Sequence, residues 1–329
     1  MRIVSLLPSA TEIVCALGLE AQLVGVSHEC DWPPAVRHLP RITRTFISHD
    51  ANSCDIDALV RRQLHTQQAL YTLDLPLLES LCADLIVTQA LCDVCAVADD
   101  EVQAASLSLS TRPRVVNLAP RSLADVLDCL RLVADATGVA ERGERVIADL
   151  RSRVDAVATR SATIRSRPRV VLLEWLAPPF SCGHWTPQLV DLAGGVELLG
   201  RAGQRSRTLH WSEINAAQPE AIFVACCGFD VARTQQDLQA VEAMTEWQGL
   251  EAVRNERVFV IDGSQYFSRP GPRLVDSLEI LAHTLHPDIH GLPAHLPRAV
   301  GSRLHASSKR SSSAMAFVTP TSVSPQPPD

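Results

Sequence analysis

Short apolar runs alternate with longer helix-period stretches along most of this chain, and that alternation constrains its fold more than any other feature. Ile3–Leu7, Leu23–Ser27, Leu85–Thr88 and Val115–Leu118 form one set; Val170–Glu174, Ala221–Ala225 and Val258–Ile261 form another. Such runs, continuous rather than alternating and separated by helical segments, are the pattern of parallel α/β units whose strands are buried on both faces. Between the sets, from Ser122 to about Arg165, the pattern is helical without a strand. After Gly138 the residues Val139, Val146, Ile147, Leu150, Val154 and Val157 recur at helical spacing. A helix of about 27 residues there would reach about 40 Å, enough to cross a molecule of two lobes. A chain of 329 residues is also too long for one ordinary core. The reading is therefore a first α/β lobe over 1–121, a helical connector over 122–167 and a second α/β lobe over 168–290. Residues 291–329 are rich in Ser and Pro and are expected to form a disordered tail. The first helix is predicted to open with a capping box, Ser9 as N-cap and Glu12 three residues on, and to close at Gly18. A closing helix is predicted from about Pro272 to Leu285.

Composition narrows the function classes. The net charge is -7 and Lys309 is the only lysine, so a phosphate-neutralising surface and nucleic acid as partner are not expected. No run approaches the ~18 apolar residues of a membrane span. Met1-Arg2 leads at once into the strand-like Ile3–Leu7, with no room for a signal peptide of about 15–30 residues. The chain as written is thus expected in the cytoplasm, and in the periplasm only if the true start lies upstream. Its 10 cysteines are expected to be reduced thiols.

In open parallel sheets, ligands bind beyond the carboxyl ends of the strands. Those ends carry Pro8-Ser9, His28-Glu29-Cys30-Asp31-Trp32, Gln89 with Cys92 to Cys95, Trp175 with Cys182-Gly183-His184-Trp185, Cys226-Cys227-Gly228-Phe229, and Tyr266 with Arg269. The candidate ligand-binding residues are Pro8, Ser9, His28, Glu29, Cys30, Asp31, Trp32, Gln89, Trp175, Gly183, Trp185, Phe229, Tyr266 and Arg269. Aromatic rings bury area at little entropic cost, and a helix opening at Ser9 offers free amides. Six cysteines at these ends predict a thiol-rich cleft, and Cys15, Cys54, Cys82 and Cys129 read as small buried hydrophobes.

His28, Cys30, Cys92 and Cys95 could hold zinc or iron tetrahedrally; packed thiols without a metal are the alternative. A redox Cys92-x-x-Cys95 is disfavoured by Asp93, Asp99 and Asp100. A metal- or thiol-dependent enzyme with Glu29 or Asp31 as base remains an alternative to a binding protein. No dinucleotide fingerprint, Walker loop or nucleophile elbow is present.

Ile3 to Glu12, Val24 to Ser27 followed by Cys30-Asp31-Trp32-Pro33-Pro34, and Phe180 to Gly183 running into Leu189 to Gly195 carry a resemblance. So do Pro219 to Ile222 and Arg269-Pro270-Gly271-Pro272-Arg273. Over about residues 1–286 the chain resembles the substrate-binding proteins of bacterial ABC importers for cobalamin and iron complexes, most of all a cobalamin-binding branch. The resemblance implies two Rossmann-like lobes joined by a long helix, with a bulky ligand held between them. It implies a corrin ring flanked by Asp31-Trp32 and by Trp175 and Tyr266; an import receptor for cobalamin, haem or a ferric siderophore, the latter two not ruled out by Tyr266, Arg269 and His28, is the alternative if the true start lies upstream. It also places Pro76 and Ser268 where the family presents acidic residues to a permease, so permease docking is in doubt.

Overall fold

The computed structural model describes residues 1–45, 47, 51–65, 70–89 and 99–302. The first set of apolar runs forms strands β1 (Ile3–Ser5) and β2 (Leu23–Val26). After them comes a two-stranded antiparallel ribbon, β3 (Thr43–Thr45) with β4 (Tyr71–Leu73). β5 (Leu85–Gln89) and β6 (Arg114–Leu118) complete a parallel sheet in the order β2-β1-β5-β6. Val4 pairs with Ile86, and all three residues of β1 are fully buried, as a central parallel strand requires. The β3–β4 ribbon had no sequence signal, because Thr43-Arg44-Thr45 is short and polar.

The first helix runs Pro8–Ala16, two positions earlier than a Ser9 cap would put it: Leu7 is the N-cap and Pro8 occupies the first turn. The predicted capping box does not form, because Glu12 is drawn into ion pairs with arginines of the other lobe. The predicted stop holds: Gly18 takes φ +64° and its N–H reaches the Cys15 carbonyl at 2.8 Å.

The connector is a helical hairpin. Leu123–Ala136 opens on a capping box of Ser122 with Asp125, and Gly138 at φ +74° turns the chain into Ala140–Ser161. These 22 residues span about 33 Å. Ile147 and Leu150 belong to the first lobe's core and Val157 to the second's, while Val154 packs against both. Arg153, on the same helix, bonds Asp276 at 2.5 Å and Glu279 at 2.6 Å on the closing helix, Leu274–Leu285.

The second set of runs forms β7 (Arg169–Leu176), β10 (Ala221–Val224) and β11 (Val258–Val260), with β8 (Pro179–Ser181) and β9 (Val196–Glu197) between them in sequence. With β12 (Val300–Gly301) they make one sheet in the order β12-β11-β10-β7-β8, β9 pairing β7 as a branch. Val170 and Leu172 enter one core and Val171 and Leu173 another; Phe223 and Val224 divide in the same way. This is the period of two expected of a strand buried on both faces. β8 and β12 run antiparallel, while β11, β10, β7 and the branch strand β9 pair in parallel, so the sheet is mixed. β12 also revises the expected tail: residues 291–302 return to the sheet, pairing Val300 with Val260, and Leu296 is buried. The remainder, 303–329, lies outside the described residues.

Candidate ligand-binding site

The carboxyl ends of both sheets bring charged and aromatic side chains of the two lobes together. At the base of the cleft is an ion network built from the first helix and the loop after β11. Glu12, 4% exposed, accepts from Arg273 Nε at 3.1 Å and Nη2 at 2.9 Å. Arg269 Nη1 lies 3.4 Å from Glu12 Oε1 and 2.5 Å from Asp31 Oδ1, and its Nη2 donates to Ser264 Oγ at 3.3 Å. Burial raises the Glu12 carboxyl above the ordinary range, with both arginines pulling the other way. Gly271 seats this loop on the first helix: a Cβ there would lie 3.5 Å from the Ser9 carbonyl oxygen and 3.4 Å from Glu12 Oε2. Ser9 is accordingly only 2% exposed, and Pro8 beside it is buried.

Rings surround the network. The Arg273 guanidinium sits 4.8 Å from the Trp32 ring centroid and 5.3 Å from that of Tyr266, a cation shared by aromatics of opposite lobes. Trp32 is 41% exposed, although large apolar side chains are usually buried. Tyr266 rides on a π-helical turn, Gly263–Phe267, which Asp262 caps by accepting from Gln265 N at 2.7 Å. The turn requires glycine at its start, since a Cβ on Gly263 would stand 2.2 Å from the Cys226 carbonyl oxygen. Further along, Trp175 and Phe229 pack at 4.9 Å, and Arg233 lies 4.5 Å over Phe229. Arg233 also donates to the Ala51 carbonyl at 3.0 Å, and Arg61 to Thr208 Oγ1 at 3.1 Å, so helix Ser53–His65 and its lead-in meet the second lobe directly. A groove of about 460 Å³ opens between the β11 loop, with Asp262, Gln265 and Tyr266, and the returning segment His295 to Arg298.

The remaining candidates fall into different surroundings. His28 Nδ1 lies 2.7 Å from Thr43 Oγ1, its ring is 5.6 Å from Tyr71, and Glu29 stands 3.8 Å from its Nε2. Gln89 is 4% exposed with its Oε1 buried and without a hydrogen-bond partner among the described residues. Gly183 and Trp185 belong to the interior of the second lobe: Gly183 N donates to Glu174, and Trp185, 6% exposed, donates to the Phe267 carbonyl at 3.0 Å. Glu12, Arg273, Arg233 and Arg61 are not among the candidates that strand-end position selects. Arg273 carries a signal, four residues after Arg269 across Pro-Gly-Pro, whereas Glu12 has the spacing of a helix cap.

Among the described residues, three of the four strand-end thiols turn away from the expected cleft lining. Cys30, Cys182 and Cys226 are fully buried, each within a lobe core, because the strand ends that carry them are themselves covered. Cys30 Sγ lies 3.1 Å from Thr11 Oγ1 and 3.2 Å from Ser27 Oγ, and burial raises all three thiols above their ordinary pKa, against a nucleophilic thiolate. Cys227, Cys54 and Cys82 are exposed, the last two against expectation, while Cys15 and Cys129 are buried as expected. Cys92 and Cys95 lie outside the described residues. Among the described residues no group of three His, Cys, Asp or Glu can hold a metal ion, and His28 and Cys30 point to different partners.

A second acidic pair sits inside the second lobe. Glu197 accepts from the amides of Leu172, Leu199 and Gly200, each at 3.0 Å, and Glu174 from that of Gly183 at 3.2 Å. Burial outweighs these bonds and pushes both carboxyls up to about 7. The pair ties the loop after β9 to β7, just behind Trp175.

Comparison with known proteins sets this geometry in a family. The vitamin B12-binding protein of Vibrio cholerae is 22% identical over 84% of this chain and 86% of its own length. An uncharacterised ABC transporter substrate-binding lipoprotein of Bacillus subtilis is 23% identical over 87% and 80%. Among solved structures, a periplasmic heme-binding protein of Pseudomonas aeruginosa superposes with a TM-score of 0.68 at 20% identity, covering 91% of this chain and 97% of its own. The Vibrio cholerae vitamin B12-binding protein superposes with a TM-score of 0.62 at 22% identity, over 87% and 96%. These likenesses show the fold of two α/β lobes joined by a helical connector. The family model for periplasmic binding proteins matches residues 93–264, more than half of the sequence, and the chain belongs to that family.

Proposed function

We propose that this protein binds cobalamin or a related corrinoid between its lobes and does no chemistry on it. The observation that carries the reading is the aromatic lining: Trp32 and Tyr266, from opposite lobes, converge on one guanidinium, and Trp175 packs on Phe229 beyond them. Flat rings of this kind suit a large planar macrocycle, and Ser264 beside them adds a polar atom for a peripheral amide. The similarity to the Vibrio cholerae vitamin B12-binding protein along most of both chains supports the same ligand class.

Mixing purified protein with hydroxocobalamin tests it. Co-elution on a desalting column with a shifted visible spectrum is expected, and free passage of the corrinoid with an unchanged spectrum refutes the reading. Haem is the second reading, favoured by the likeness to heme-binding structures and by the Tyr266 hydroxyl as an oxygen donor. A Soret shift on adding hemin, abolished by Tyr266→Phe, would put haem first. The lipoprotein relative supports a role in import. The exposed Pro76 and half-buried Ser268 offer a permease no charge, so such docking would rest on other residues.

A further inference from the structure

Two carboxylates reach Arg269 from very different surroundings. Glu12 is 4% exposed and also holds Arg273 through both of its oxygens. The Asp31 side chain is 41% exposed, and Arg269 is its side-chain partner. Stripping a buried carboxylate of its guanidinium partners costs far more than detaching one that water can solvate. Glu12 is therefore the fixed member of the network and Asp31 the exchangeable one.

Arg273 has no such freedom. It is bidentate on Glu12, donates to Gln265 Oε1 at 3.2 Å, and lies against the Trp32 and Tyr266 rings. Arg269 Nη2 is already engaged by Ser264, which leaves the Nη1 edge beneath Asp31. Asp262 adds its field to both arginines, but it is occupied in capping Gln265 N.

We propose that Asp31 is a displaceable counter-ion on Arg269, and that an anionic group at the edge of the bound ligand, a carboxylate or a phosphate, takes its place. Arg269 is then the specificity-determining residue that reads ligand charge, and Asp31 sets the threshold for doing so. A guanidinium whose carboxylate leaves recovers the bond from an incoming oxyanion, so the exchange conserves the charge-assisted contact. The inference rests on the cleft being the ligand seat.

Asp31→Asn keeps the shape of the cover and removes its charge. Full-length wild type and D31N are titrated with hemin, which carries carboxylates, with cyanocobalamin, which carries a phosphodiester, and with dicyanocobinamide, which lacks it. D31N is expected to raise either the hemin-to-cobinamide or the cyanocobalamin-to-cobinamide affinity ratio by about tenfold. The ratio that moves identifies the anion. Adding Arg269→Lys should cut the gain, because lysine keeps the charge and the bond to Glu12 but loses the fork. Ratios left unchanged by D31N in both arms overturn the proposal.

Melting in inorganic pyrophosphate needs no tetrapyrrole: D31N should gain about 2–4 °C more than wild type, and D31N/R269K less than D31N. If no variant binds any tetrapyrrole, the functional reading fails and the melts alone decide. A pyrophosphate response in D31N then sustains the exchangeable counter-ion, and none refutes it.

Discussion

Replacing Glu12 by Gln removes one charge from the centre of the inter-lobe network with almost no change of shape. Arg273, 8% exposed, loses its bidentate carboxylate and keeps Gln265 and its two rings; Arg269, 7% exposed, keeps Asp31 and Ser264. Breaking a buried pair by removing one partner costs about 3–5 kcal/mol when the other is left bare. The surviving partners reduce this, each ring contact by about 0.5–1 kcal/mol, and desolvation of the Glu12 charge, which raises its pKa, is recovered. The expected net loss is about 2 kcal/mol, or about 3 °C in Tm for a chain of this length. Urea unfolding followed by tryptophan fluorescence measures it, and a double-mutant cycle with Arg273→Gln isolates the pair. A coupling within about 0.5 kcal/mol of zero would refute a contribution of the Glu12–Arg273 pair to holding the two lobes together.

Three further outcomes are expected. Trp175→Ala and Tyr266→Ala should each weaken corrinoid binding by about 10- to 100-fold, since each removes a large ring worth about 1.5–3 kcal/mol of burial; a titration showing less than threefold loss for both would place the ligand elsewhere. Glu174 and Glu197 have folded pKa values pushed up to about 7 from 4.5, so the stability they contribute is present below pH 4.5 and is lost as pH rises through 7. Melting curves from pH 5 to 8 should therefore fall more steeply for wild type than for E174Q, and parallel curves would mean the carboxyl is not protonated in the fold. Gly263→Ala forces a methyl against the Cys226 carbonyl and should cost about 2–4 kcal/mol in a urea midpoint measurement, with corrinoid binding lost as the Tyr266 turn shifts.

Much of this molecule is written locally. Seven strands, the first helix stop at Gly18 and the connector stripe from Val139 to Val157 follow from apolar period and turn chemistry, which act over a few residues. Sequence position also brought the candidate rings to strand ends, because an α/β sheet places the residue after each parallel strand on one edge. The strands missed are those without a periodic signal: the three-residue β3, β4 and β8, the two-residue β9, and β12 in a segment with the composition of a tail.

What the chain determined by itself is the two-lobed α/β architecture, since burial of continuous apolar strands leaves few other solutions. Only the tertiary structure decided how its side chains are used. Glu12 and Arg273 lie 261 positions apart, and nothing local distinguishes a helix-capping carboxylate from one drawn across the cleft by two buried guanidinium groups. The cysteines show the same limit in reverse: adjacency to a strand end does not reveal whether a small side chain turns toward solvent or into the core. At Cys30, Cys182 and Cys226 the core won, because a thiol loses little by leaving water and fills space that packing must close.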